Sequence, residues 1–128
     1  MKDKRVFDLE SRLIDFAVRI IRTAESLPTT STGKHITAQL IRCGTSPASN
    51  YGEAQSAESP ADFVHKLKIC LKELRETKVW LTLIERAGLI KPASKLSKLT
   101  SLLSENDELI AIFMASIATS KKRTKKTS

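Results

Sequence analysis

Four stretches of the chain repeat apolar residues at steps of three and four, the spacing that lines side chains along one face of an α-helix. The first holds Val6, Leu9, Leu13, Phe16, Ile20 and Leu27, thickened by Ala17, Ile21 and Ala24. It predicts a helix over roughly 8–26. On its opposite face Asp8, Arg12, Asp15, Arg19 and Arg22 alternate in sign, a pattern that favours local ion pairs over a basic ligand-binding strip. The second stripe, Ile36, Leu40, Cys43 and Pro47 with Ile41, Gly44 and Ala48 beside it, predicts a helix over roughly 34–56. The third, Phe63, Leu67, Cys70, Leu74, Thr77, Leu81 and Ile84, is unbroken and predicts roughly 60–87. The fourth, Leu96, Leu99, Leu103, Asn106, Ile110, Phe113 and Ile117, predicts roughly 94–119.

The punctuation between the stripes agrees with these limits. Leu27 and Pro28 close the first helix, and Thr29 to Gly33 read as a turn. Ser59, Pro60 and Asp62 supply an N-cap, a first-turn proline and a first-turn acid. Gly88 ends the third helix and Pro92 prevents its continuation. Within the second helix, Pro47 removes a backbone hydrogen bond and predicts a kink, while Gly44 permits a bend or the close approach of a neighbour. That helix carries few charges, so burial on more than one side is expected. The prediction is an all-α, antiparallel up-down-up-down four-helix bundle over residues 1–119, followed by a basic disordered tail at 120–128. Asn106, the one polar member of the fourth stripe, is expected to bond a neighbouring backbone in mid-bundle.

Composition narrows the class. Of 128 residues, 41% are hydrophobic but 5% aromatic, which suits aliphatic helix packing in a single domain. Cys43 and Cys70 sit in apolar helical patterns without C-x-x-C spacing, so reduced core residues are expected rather than a disulfide or zinc site. No signal-like segment opens the chain and no long apolar run crosses it, which predicts a cytoplasmic protein with no membrane partner. The net charge is +8, yet five of the 22 Lys and Arg residues and none of the 14 acids fall in residues 120–128. Most of the basic character therefore belongs to the tail.

The second and third helices also share a polar pattern. Arg42, Ser46, Asn50 and Glu53 lie on one face, and Lys66, Glu73, Glu76 and Trp80 on another. If the helices pack antiparallel about the turn at Ser59 and Pro60, Glu53 meets Lys66, Ser46 meets Glu73, and Arg42 meets Glu76. A polar seam between the two helices is predicted.

The same residues carry a resemblance. Arg42, Gly44, Thr45 and Ser46, then Asn50, Glu53 and Ala54, then Asp62 and Phe63, then Lys72, Glu73, Glu76, Thr77, Trp80 and Leu81 follow a family pattern. They resemble the four-helix-bundle proteins encoded in intervening sequences of bacterial large-subunit ribosomal RNA genes, over most of residues 7–118. Tyr51 and Gly52 depart from the pattern, which usually has Ile and Ala there. The resemblance implies an up-down-up-down bundle that assembles into a homo-oligomer, commonly a pentamer. The fold is also similar to the accessory protein of diversity-generating retroelements, a basic pentameric barrel that binds nucleic acid and a reverse transcriptase. The family's name describes where the genes were found and does not establish ribosome binding.

Three functional classes follow. Nucleic acid, RNA or DNA, is the leading candidate ligand, through His65, Lys68, Lys72, Arg75 and Arg86 on the third helix and Lys121, Lys122, Arg123, Lys125 and Lys126 in the tail. Against this, Glu73, Glu76 and Glu85 share that helix and no aromatic residues interleave for base stacking. Assembly is the second class, with Ile69, Trp80 and Leu83 as interface candidates because they fall away from the core stripe; Trp80 is expected to face outward, the alternative being that it folds over a neighbouring helix. The alternative to nucleic-acid binding is a protein-only scaffold for an unidentified partner. The third class, a di-iron enzyme, needs two Glu-x-x-His motifs, and the nearest match is Asp62-x-x-His65 alone. His35 reads as a surface or capping residue, and no catalytic residue, metal or cofactor is predicted.

Overall fold

The computed structural model describes the backbone of residues 4–127 and the side chains of residues 9–123. It has four long helices, α1 (Lys4–Glu25), α2 (Ser31–Ala54), α3 (Pro60–Arg86) and α4 (Leu96–Thr127), with a single 3₁₀ turn at Ala93–Lys95 leading into α4. Contacts between neighbours fix their directions. Ile20 and Ala24 of α1 meet Gly44 and Thr37 of α2, so the two run antiparallel. Along the α3–α4 pair, Lys78 meets Asp107 and Arg75 meets Met114. Between α1 and α4, Arg12 reaches Glu105 and Arg19 reaches Ser101.

Local chemistry explains the boundaries. Thr30 caps α2 by accepting the Gly33 backbone N–H at 3.1 Å, so the helix begins at Ser31, before the turn expected over Thr29 to Gly33 has ended. Gly33 is thus a helical residue, and a Cβ there would lie 1.8 Å from the Pro28 carbonyl oxygen. Ser59 accepts the Asp62 N–H at 3.0 Å to start α3 at Pro60. Gly88 closes α3 with φ 63° while Gly88 N–H donates to Glu85 O and Leu89 N–H to Ile84 O. That pair of bonds is a Schellman cap.

One hydrophobic core runs through the bundle. Leu13, Phe16 and Ile20 of α1, Leu40 of α2, Leu74 and Leu81 of α3, and Leu109 and Phe113 of α4 are fully buried or nearly so. Tyr51 stands edge-on to Phe113 at 6.0 Å between ring centroids. Asn106 is buried in mid-bundle with its Nδ2 donating to Leu74 O at 3.2 Å, as its position in the fourth stripe predicts.

Three expectations are corrected. On α4 the core line passes through Leu102 and Leu109, while Leu103 and Ile110 are half-buried and Leu96 is exposed. The apolar band is wide enough there for two registers, and the sequence favours the wrong one. On α1, Ile21 is exposed rather than a thickening of the core. Finally, α4 extends through residues 120–127, where a disordered tail is expected. Lys and Arg are good helix formers, and cations near a helix C-terminus complement its negative dipole end.

Candidate nucleic-acid interface

The polar face of α2 and the facing edge of α3 form the seam, with one change of partner. Lys66 Nζ lies 3.1 Å from Glu53 Oε2. Arg42 takes two carboxylates: Nη1 lies 3.2 Å from Glu73 Oε2, and Nη2 bonds Glu76 Oε2. Ser46 does not reach Glu73. Its hydroxyl accepts from Asn50 Nδ2 at 2.7 Å, within α2. The longer Arg42 side chain takes the carboxylate assigned to the short serine.

This arrangement decides what the other face of α3 presents. Glu73 and Glu76 turn towards α2 and are held by Arg42, so they do not neutralise the cations on the outer side of α3. His65, Lys68, Lys72, Arg75 and Arg86 are all exposed. Among the described residues, no carboxylate forms an ion pair with Lys68, Lys72 or Arg75; Arg75 instead donates to Met114 Sδ of α4 at 3.6 Å.

Because α4 continues past residue 119, it carries Lys121 to the side of Lys68. The Lys121 ammonium is held below the ordinary lysine value by the nearness of the Lys68 ammonium, a like charge that disfavours its protonated form. Lys122 and Arg123 are exposed on the same final turns. The side chains of Lys125 and Lys126 lie outside the described residues. The tail and the first part of the α3 stripe, separate in sequence, thus form one basic corner between α3 and α4, whereas Arg86 lies in the last turn of α3, at its other end.

The assembly candidates divide. Leu83 is exposed, and Ile69 is half-buried. Trp80 is not the outward residue that the sequence predicts: it packs against the core, stands edge-on to His35 of α2 at 5.8 Å, and donates its indole N–H to Glu76 at 3.2 Å. Its size lets it fold across the neighbouring helix from a flank position. Sequence reasoning misses a more evident apolar surface, the exposed stripe Ile14, Val18 and Ile21 on α1, and Val79 beside Leu83 on α3. The exposed Ile14 and Val18, at a step of four and on neither the core stripe nor the charged face, are the signal that could have found it.

Neither cysteine is placed for nucleophilic chemistry. Burial pushes the Cys70 thiol up to about 12 and raises that of Cys43. Cys70 Sγ lies 3.5 Å from Pro47 O, and Cys43 Sγ 3.7 Å from Leu40 O. Among the described residues, no three His, Cys, Asp or Glu side chains converge as a metal-ligand group, and no helix is long and apolar enough to cross a membrane.

Comparison with known proteins bears on the whole bundle. The family profile described as "23S rRNA-intervening sequence protein" matches residues 7–113. A solved structure of a protein of unknown function from the S23 ribosomal protein family of Bacteroides thetaiotaomicron superposes with a TM-score of 0.76. It shares 32% sequence identity, and the match covers 85% of this chain and 97% of that one. No curated protein matches the chain.

Proposed function

The chain belongs to the 23S rRNA-intervening sequence protein family, and from that premise we propose that it is a non-enzymatic, homo-oligomeric bundle of the cytoplasm that binds nucleic acid with weak sequence specificity. The observation that carries the reading is the line of exposed cations Lys68, Lys72 and Arg75 on α3, beside which the end of α4 brings Lys121. Like charges set side by side repel until an anion lies between them, and a phosphodiester is the anion that a line of such cations fits. Lys72 and Arg75 continue the line along α3 without acidic partners among the described residues. Phosphate contacts position a nucleic acid without reading its bases, and no aromatic platform accompanies these cations. Affinity is therefore expected for RNA and DNA of unrelated sequence alike. The test compares such oligonucleotides at rising salt. Similar affinities that fall together support the reading, and no binding at low salt sinks it.

Assembly has its own support. The apolar stripe of α1 and the Val79–Leu83 pair of α3 lie on helices that are diagonal in the bundle. A heterologous interface joining one to the other in successive copies gives a ring when the rotation between copies closes, and the family resemblance favours a closed ring of five. In such a ring each copy repeats the basic corner and strengthens its field. The alternative reading is a scaffold for a protein partner on the same apolar stripes, favoured if the assembly forms but nucleic acid does not bind it.

A further inference from the structure

At the opposite end of α4 from the basic corner, α1, the start of α4 and the segment joining α3 to α4 enclose an open cleft with a cavity of about 570 Å³. Its cations are Arg19 and Arg22 of α1, Lys95 of the 3₁₀ turn and Lys98 of α4, and among the described residues no carboxylate lines it. The base of the cleft is apolar, Ile90, Leu99 and Leu102 lying buried beneath it, and the aliphatic stems of the surrounding Arg and Lys side chains extend that apolar surface.

A structural seam between α1 and α4 would be neutralised, and higher up it is. Arg12 is held by Glu105 at 3.1 and 2.5 Å and by Glu108 at 2.9 Å. Two turns along, a hydroxyl replaces the carboxylates: Arg19 Nη2 donates to Ser101 Oγ at 2.9 Å. Beyond it Arg22, Lys95 and Lys98 have no acidic partner among the described residues and are exposed at the rim. The cation excess thus rises towards the cleft.

The hydroxyls are also sorted. Thr23 and Ser26 donate to carbonyls of their own helix, at 2.9 and 2.7 Å, and so have no proton for a ligand. Ser101 accepts from Arg19 and keeps its O–H, and Ser97 stands in the first turn of α4. These two can donate to an anion beside the positive end of the α4 dipole.

From these features we infer that the cleft binds a small organic polyphosphate of the nucleoside diphosphate class. Arg22, Lys95 and Lys98 hold the phosphates, Arg19 and the Ser97 and Ser101 hydroxyls orient them, and the organic body lies on Ile90, Leu99 and Leu102. The volume is of the size that small-ligand sites use. The site is remote from Lys68 and Lys121 and does not rest on nucleic-acid binding.

The test is isothermal titration of the full-length protein with ADP, inorganic pyrophosphate and adenosine at moderate salt. ADP is expected to bind with one site per chain, pyrophosphate more weakly because it leaves the apolar floor uncovered, and adenosine not measurably. The double variant R22E/K98E should weaken ADP by about tenfold or more, whereas K68E/K72E should change it by less than about twofold. Both altered cleft residues are exposed, and an unchanged circular dichroism spectrum and melting temperature verify folding; R22Q/K98Q serves if the charge reversal does not fold. The proposal is overturned by an absence of saturable ADP binding, by retained affinity in the cleft variants, or by an equal loss in K68E/K72E. Pyrophosphate binding as tight as ADP overturns the organic part of the assignment. Loss of oligonucleotide binding in K68E/K72E with ADP binding intact separates the two sites.

Discussion

Gly44 of α2 lies directly against Ile20 of α1: a Cβ on the glycine would stand 2.6 Å from Ile20 Cγ2 and 2.8 Å from Cγ1. Ile20 is fully buried and β-branched, so it has little freedom to move aside. Replacing Gly44 by Ala should gain up to about 1 kcal/mol of helix propensity but lose more to overpacking, about 1–3 kcal/mol. Urea unfolding is expected to show net destabilisation for G44A. Greater stability would mean that the α1–α2 approach is looser than described.

Arg42 joins α2 to two carboxylates of α3, and Glu76 in turn accepts from the indole of Trp80. The charge reversal R42E should destabilise the protein by placing a third acid beside Glu73 and Glu76. Adding E76R should recover part of the loss, giving a favourable coupling in the double-mutant cycle. The single tryptophan provides a second readout, since E76Q alters the hydrogen bond at Trp80 and should shift its emission. Additive destabilisation in the cycle would deny that Arg42 and Glu76 act as a pair.

The buried thiols predict an alkaline limit. Cys70 is pushed up to about 12 and Cys43 is raised, both chiefly by burial, against an ordinary value of 9.0. Folded values above unfolded ones mean that the stabilising contribution is complete below the unfolded pKa. It is lost as pH rises from about 9 towards the folded values, because the unfolded thiols ionise first. The urea midpoint should begin to fall above about pH 9, less steeply in C70A, and a thiol reagent should label both cysteines no faster than the protein unfolds. Rapid labelling of either residue at neutral pH would contradict their burial.

The exposed apolar stripes predict how assembly fails. V18K, at the centre of the α1 stripe, and L83K on α3 should each lower the mass measured by light scattering towards that of one chain while leaving helicity and melting of the bundle intact. Both positions are already exposed within one protomer, so loss of folding is not expected from either. An unchanged oligomer in both variants would remove these stripes from the interface.

Much of the fold is legible because each helix announces itself twice, by its stripe and by its ends. Ser59 with Pro60 and Gly88 fix α3, and once its start is fixed, antiparallel packing brings Lys66 to Glu53 and Arg42 to Glu76. The same reasoning fails for Ser46 because level does not determine reach: arginine spans to Glu73 and serine does not. Trp80 is misread for a related cause, since a large flank residue can fold over the adjacent helix. Ile21 is misread because a stripe bordered by further apolar residues does not reveal where burial stops. On α4 the near-continuous apolar band leaves register ambiguous between Leu102 and Leu103. The basic corner is half legible, for the cations are visible but the continuation of α4 that joins Lys121 to Lys68 is not. The cleft is illegible because tertiary packing alone brings Arg22 and Lys98 to the same opening.

The central claim is that the α3–α4 corner is a phosphate-binding surface, and the salt dependence of RNA affinity tests it most directly. Fluorescence anisotropy of a labelled single-stranded RNA, titrated with full-length protein between about 50 and about 200 mM salt, gives the slope of log affinity against log salt. The wild-type protein should bind with a steep negative slope, and the triple variant K68E/K72E/R75E should bind far more weakly, its slope shallower by about one for each phosphate contact removed. Wild-type and variant curves that coincide, or no binding at the lowest salt, would contradict the account.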